Sequence, residues 1–188
     1  MMINKTVSYY NNADDSKSKI RYNLDYVLGM IRDNQELFQQ TVKLRSMPTE
    51  EEYKQAKKLL PMIAPSGVFD YRNDDPENLR EYSNVLVLDF DHFQSRLDAG
   101  EFKRNLIDNA DRLHVYALWF SPSRLGVKVA MIHDSTNPMY HNELFRCIRE
   151  QLYPGIPEFD DKCGNLSRTF FLSSDPEIYI NPQRDSLT

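Results

Sequence analysis

The 188-residue sequence is 40% hydrophobic and 27% charged, which excludes a disordered chain and allows one continuous core, hence a single domain over residues 1–188. No run of about eighteen apolar residues occurs, and Met1-Met2-Ile3-Asn4-Lys5 lacks the apolar stretch of a signal peptide, so no membrane partner and a cytoplasmic location are expected. A formal charge of −5 argues against non-specific coating of nucleic acid but leaves room for a local basic groove.

Residues Thr6 to Tyr10 read as a short strand and Asn11 to Lys19 as a polar loop. From Asn23, a plausible N-cap, Leu24, Val27, Leu28 and Ile31 recur at helical spacing, and Leu37, Phe38, Val42 and Leu44 mark a second helix. Thr49 with Glu52 three residues later forms a capping box, so a third helix is expected from about Glu50 to Leu60. Residues 21–66 thus read as a helical segment ahead of an α/β core spanning 67–182. Pro61 and Pro65-Ser66-Gly67 stop the third helix, and Asn73-Asp74-Asp75-Pro76 is a turn signal.

Val85-Leu86-Val87-Leu88 is a continuous β-favouring run that suits a central strand and delivers Asp89-Phe90-Asp91 at its end. A helix around Phe102 to Ala110 follows, then strands over 115–120 and 127–132 joined by Ser121-Pro122-Ser123-Arg124-Leu125-Gly126. So short a connection requires an antiparallel pair, because a parallel return needs a crossover of about a dozen residues. His141 to Leu152 is helical by pattern, Arg168 to Leu172 is the expected last strand, and 183–188 reads as a tail. The fold class expected is α+β: a mixed or antiparallel sheet with helices, preceded by the helical segment.

Residues two apart on a strand share a face, so Asp89 and Asp91 leave the sheet on one side, about 7 Å apart at the backbone. Paired carboxylates at a strand end suit a hard cation such as Mg²⁺ or Mn²⁺. A lone Asp there would more often begin a turn. Lys128 interrupts the apolar set Val127, Val129 and Met131, and a lysine amid apolar neighbours needs a partner. With Ser121, Ser123 and Arg124 it offers hydroxyl and cationic contacts to a triphosphate, while Gly126 lets a ligand approach the backbone; the plain alternative is an edge-strand lysine that discourages aggregation. Alternation is expected to put Asp89, Asp91 and Lys128 on one exposed sheet face, with helices on the other.

Phe159-Asp160-Asp161-Lys162 supplies a further acidic group, and Ser167-Arg168 an arginine able to reach a phosphate, although such residues usually belong to solvated turns. His92 and His133 are isolated and read as surface or supporting residues. Lys54, Lys57 and Lys58, interspersed with Glu50, Glu51 and Glu52, read as a plain solvated helix face. Cys147 and Cys163 form neither a Cys-x-x-Cys pair nor a Cys/His cluster and read as reduced thiols.

Taken together, Leu44-Arg45-Ser46-Met47-Pro48, Leu60-Pro61 through Phe69, Val85 to His92, Phe120-Ser121-Pro122-Ser123 with Gly126-Val127-Lys128, and Leu166-Ser167-Arg168 through Ser174-Asp175-Pro176 with Tyr179 to Pro182 form a specific set. The sequence resembles the VirE N-terminal or BT4734-like domain, a branch of the archaeo-eukaryotic primase superfamily found in mobile genetic elements. The resemblance implies a metal-dependent nucleotidyltransferase in DNA replication, with Asp89, Asp91 and Asp160 as catalytic metal ligands for Mg²⁺ or Mn²⁺. It prefers Asp160 to Asp161, because Phe159-Asp160 fits the family's hydrophobic-Asp pattern. It also implies that Ser121, Ser123, Gly126, Lys128 and Arg168 bind nucleotide. The implied partners are nucleoside triphosphates, single-stranded DNA or RNA, and a helicase domain or protein. Lys128 stands where many primases of the wider superfamily carry histidine, and Arg124 where this family often has glycine.

Two alternatives remain at this point. Leu86-Val87-Leu88-Asp89-Phe90-Asp91 also resembles the opening motif of haloacid-dehalogenase-type phosphohydrolases, although Phe93 and the antiparallel hairpin oppose it. The other is a non-catalytic accessory module that binds nucleic acid.

Overall fold

A computed structural model describes residues 3–73 and 75–184. Met1 and Met2, Asp74 of the expected turn, and residues 185–188 of the expected tail lie outside the described residues. The fold is α+β, with fifteen regular elements in the order β1 (Thr6–Tyr10), β2 (Arg21–Asn23), α1 (Leu24–Asp33), α2 (Gln35–Arg45), α3 (Glu50–Lys57), β3 (Met62–Ala64), β4 (Gly67–Phe69), β5 (Leu79–Tyr82), β6 (Val85–Phe90), α4 (Arg96–Asp108), β7 (Ala117–Phe120), β8 (Val127–Ile132), α5 (His141–Leu152), β9 (Phe170–Phe171) and β10 (Tyr179–Ile180).

Local chemistry sets the helix ends. Asn23 caps α1 by accepting from the Asp25 amide, and Asn34 closes α1 while its side chain accepts from Leu37 N at 2.8 Å to open α2. The Thr49–Glu52 capping box forms as expected. Helix α3 nevertheless ends at Lys57 rather than near Leu60: Leu59 and Leu60 donate to carbonyls three residues back, and Pro61 disfavours helix in the residue before it. Helix α4 begins six residues before the expected Phe102, because Ser95 caps it by accepting from Asp98 N.

Three antiparallel sheets result, ordered β10-β7-β8-β6, β2-β1-β3-β9 and β4-β5. Residues 21–66 are therefore not purely helical, since β2 and β3 belong to the second sheet. Strands of two to four residues are too short to show a hydrophobic period, which is why β2 to β5 and β10 escaped pattern reading. The last expected strand shrinks to the two residues of β9. The 121–126 connection does join antiparallel neighbours: Phe120 pairs with Val127 and Trp119 with Lys128.

In the first sheet, register and alternation put Leu86, Leu88 and Phe90 on the face covered by α4, where the Phe90 and Phe102 rings lie 4.8 Å apart. Asp89 and Lys128 occupy the opposite face. That face is not exposed as expected, because the second sheet reaches it: the Phe170 ring of β9 lies 5.1 Å from Lys128 Nζ. The site sits in the seam between the two sheets. None of the described helices is long and apolar enough to cross a membrane.

Candidate functional site

The seam opens into a cleft of about 300 Å³. Its acidic lining is Asp89, Asp91 and Asp160; its cationic lining is Lys57, Lys128 and Arg168, so the formal charges balance. Ser121 and Ser123 form the rim beside them. The structure thus gathers the residues named from sequence for this site, apart from Gly126 and Arg124, around one cavity.

Cross-strand pairing puts Asp89 directly opposite Lys128, and Lys128 Nζ donates to Asp89 Oδ2 at 2.5 Å. Both side chains are buried, yet Asp89 Oδ1 has no hydrogen-bond partner among the described residues. A buried carboxylate oxygen left bare is costly, so a cation or donor is expected to meet it. Asp91 lies one residue past the end of β6. Its amide donates to Glu158 O at 2.8 Å, its Oδ1 accepts from His92 N, and His92 turns the chain away with φ 66°.

Asp160 arrives from a distant segment but is tied to the same strand, its amide donating to Asp89 O at 2.9 Å. Its Oδ2 accepts from Arg168 Nη2 at 2.9 Å, while Arg168 Nε is left without a partner. Asp161 turns outward to an exposed ion pair with Arg149 at 2.6 Å, which leaves Asp160 as the acid of the Phe159-to-Lys162 run that lines the main cleft. The tightest group of metal-capable atoms among the described residues is Asp89, Asp160 and Cys163, all within 4.8 Å of one another, and Asp91 lies outside that trio. Burial, reinforced by the Asp89 charge, pushes the Cys163 thiol up to about 12, so it stays protonated and donates weakly to Asp160 Oδ2. Two neighbouring carboxylates, one with a bare oxygen, fit a hard divalent cation, for which a soft sulfur ligand is a poor match.

The Ser121–Gly126 turn departs from expectation in two ways. A Cβ on Gly126 would stand 2.7 Å from Phe90 O, 2.8 Å from Asp91 Oδ1 and 3.0 Å from Ser121 Oγ, so the missing side chain makes room for the site's own groups rather than for a ligand. Arg124, where the resembled family often has glycine, adopts φ 60°, the left-handed conformation that glycine supplies without strain. Its side chain leaves the triphosphate contacts expected of it, pairing with Glu177 at 3.2 Å and covering the Phe120 ring.

Beneath the turn, the buried ion pair of Lys103 and Asp175, 2.8 Å long, is fully hydrogen-bonded: Asp175 also accepts from Phe120 N and Glu177 N, and Lys103 also donates to Glu177 O. The Ser174-Asp175-Pro176 stretch therefore anchors the residue before Ser121.

Lys57 was missed. It lies on the inward stripe of α3 with Tyr53 and Ala56, a spacing that could have revealed it, whereas Lys54 faces solvent and pairs with Glu50. Lys57 lines the cleft without an ion-pair partner among the described residues; burial, then the charge of Lys128, lowers its pKa against the opposing pull of Asp91 and Asp89. Of the surface and supporting roles open to His133, the structure leaves the second, since the residue is buried.

No curated protein and no solved structure matches this sequence. The family described as BT4734-like, N-terminal domain, matches over residues 54–180, a span that contains the whole cleft lining from Lys57 to Phe171. The chain therefore belongs to the BT4734-like N-terminal domain family.

Proposed function

We propose that this domain is a primase-like nucleotidyltransferase that adds nucleotides to a single-stranded nucleic acid in mobile-element replication. The observation that carries the reading is the bare, buried Asp89 Oδ1, held beside Asp160 in a cleft whose other wall is cationic. Asp89 and Asp160, with Asp91 at the mouth, are the residues that would hold Mg²⁺ or Mn²⁺. Such an ion, when bound, would activate the attacking hydroxyl and offset charge on the leaving pyrophosphate. Lys57, Lys128 and Arg168 would donate to phosphate oxygens, Arg168 through its unpartnered Nε, and the Ser121 and Ser123 hydroxyls would orient the triphosphate. A cleft with these charges balanced before binding favours a ligand that brings both a cation and a polyphosphate.

One observation favours a binding-only accessory module instead: the Lys128 ammonium already neutralises the Asp89 carboxylate that a metal would need. The phosphohydrolase alternative is disfavoured by the antiparallel neighbours of β6 and β7, which leave no parallel crossover beside Asp89. Purified protein incubated with Mn²⁺, single-stranded DNA and labelled nucleotides should give extended strands and pyrophosphate. Metal-dependent DNA binding without pyrophosphate release would support the accessory module, and inorganic phosphate released from phosphomonoesters the phosphohydrolase.

A further inference from the structure

The Ser121–Arg124 turn separates two surfaces. One is the cleft; the other is a shallow groove of about 390 Å³ lined by Arg96, Arg104, Arg124, Lys103 and Glu177, with Phe120 at its floor. Arg45 lies at the join, its Nε donating at 2.9 Å to the carbonyl of Pro122, a cleft residue. The charges of Arg124 and Arg96 both act on Arg45, adding to the effect of its burial in lowering its pKa. Like charges are thus gathered here in a chain that is net acidic at −5.

The available acids do not neutralise the group. Lys103 is matched by buried Asp175, Arg124 by Glu177 at 3.2 Å, and Arg104 only loosely by Glu101 at 3.9 Å. Arg96 is exposed and half-buried Arg45 sits beside it, and neither makes an ion pair among the described residues. Concentrated guanidinium groups repel one another and persist where an external anion joins them; their planar forks match phosphate oxygens.

We propose that Arg45, Arg96, Arg104 and Arg124 form a track for the phosphate backbone of a single nucleic-acid strand, leading it over the Ser121–Arg124 turn into the cleft. The proposal rests on the nucleotidyltransferase reading and names the surface that delivers the strand. A strand is favoured over a free nucleotide because the track lies outside the cleft and across the turn from it. Leu97, 78% exposed on α4, gives the unstacked bases of such a strand an apolar surface beside the arginines.

The test compares wild type with the double variant Arg96→Glu/Arg104→Glu, both positions being exposed on α4, by fluorescence anisotropy with a labelled thymidine 20-mer over a range of salt. A glutamate at the first position of α4 favours the helix, so folding should persist, as the thermal transition would verify. The expected result is about tenfold or greater weakening, with the salt slope shallower by about 1.4, at about 0.7 per lost phosphate contact. The stabilisation that Mn²⁺ with nucleoside triphosphate gives in the thermal transition should be unchanged. Unaltered oligonucleotide affinity and slope in the double variant would overturn the track. So would displacement of the 20-mer by poly-glutamate of equal charge, which would point to an acidic protein. Wild type that responds to nucleotide but binds no 20-mer would remove the track and leave the cleft reading standing; wild type that binds neither would remove both.

Discussion

Asp89 and Lys128 stand directly opposite one another on β6 and β8, ion-paired at 2.5 Å and only 8% and 5% exposed. The register fixes this pair and leaves the Asp89 carboxylate within 4.8 Å of a carboxylate oxygen of Asp160 and the Cys163 thiol. It also places in the protein interior a salt bridge whose removal from one side leaves an uncompensated charge.

Lys128→Met should therefore destabilise the fold by about 3 kcal/mol or more, as removal of one member of a buried pair typically does, and Asp89→Leu should do likewise. The double variant Asp89→Leu/Lys128→Met should recover most of that loss, since two apolar side chains need no mutual neutralisation. Urea denaturation of the four proteins measures the coupling. Additive losses would show that the two groups find other partners.

Divalent metal should raise the thermal midpoint, because an ion bound only by the folded state stabilises it by mass action. Asp91→Asn/Asp160→Asn should abolish the Mn²⁺ response in scanning fluorimetry while leaving the Asp89–Lys128 pair intact. An unchanged response would place the ion elsewhere.

Much of this site was legible in sequence, and the residues explain why. Asp89 ends an apolar run, Lys128 breaks another, and Gly126 sits in a connection too short for anything but a hairpin, so local pattern alone joins them. Asp160 and Arg168 come from a segment with no periodic pattern; their place depends on the Asp160 N to Asp89 O bond and the Phe90–Phe159 bridge, which span about seventy residues. Residue chemistry offered them only as candidates in solvated turns, and family resemblance assigned them to this site. Lys57 was hidden by its neighbours Glu50 to Lys54, whose charges describe the outer face of α3 and not the inner one. The second sheet was read only in part: Thr6 to Tyr10 and the region of β9 were legible as strands, but β2 and β3, each of three residues, exist through pairing rather than propensity.

Lys57→Met should separate binding from stability. Lys57 is partly buried with a lowered pKa and no ion pair, so its removal should leave stability unchanged or slightly improved. Nucleotide affinity should fall about 10–100-fold if its ammonium meets a phosphate, the usual range for a charged hydrogen bond. Lys54→Met, on the solvent side of the same helix, should change neither. Isothermal titration with a non-hydrolysable triphosphate in Mn²⁺ reads the difference.

Acid should destabilise the fold through two histidines. Burial lowers His133 and His141 from 6.5 to about 4, in His141 with a contribution from His133. His141 is held neutral between Tyr82 OH at 3.0 Å and Ser66 Oγ at 3.2 Å, and the His133 ring packs beside it at 6.4 Å. Because the folded values lie below the unfolded one, the unfolded chain binds more protons between pH 6.5 and 4. Stability is fully present above pH 6.5 and falls as pH drops toward 4, by about 3 kcal/mol per fully buried imidazole. His133→Leu should reduce the slope of denaturation midpoint against pH across that window. A midpoint flat from pH 7 to 4.5 in wild type would show that both rings are hydrated.

Gly126→Ala tests whether the site's geometry depends on close packing at the turn. The added methyl would meet Phe90 O at 2.7 Å and Asp91 Oδ1 at 2.8 Å, and the first of these is backbone within a paired strand, which cannot rotate aside. Relief must come from separating β6 and β8 at their ends or from expelling the Asp91 carboxylate. Separation would weaken the Phe90–Val127 pairing and cost about 1–3 kcal/mol, the usual range for overpacking. Expulsion would cost less stability but remove an acid from the mouth of the cleft. Both routes should lower the Mn²⁺ response of the thermal transition. The balance between lost midpoint and lost metal response tells which neighbour yields. An alanine variant indistinguishable from wild type in both measurements would mean that the turn and the end of β6 are not packed as tightly as these distances require.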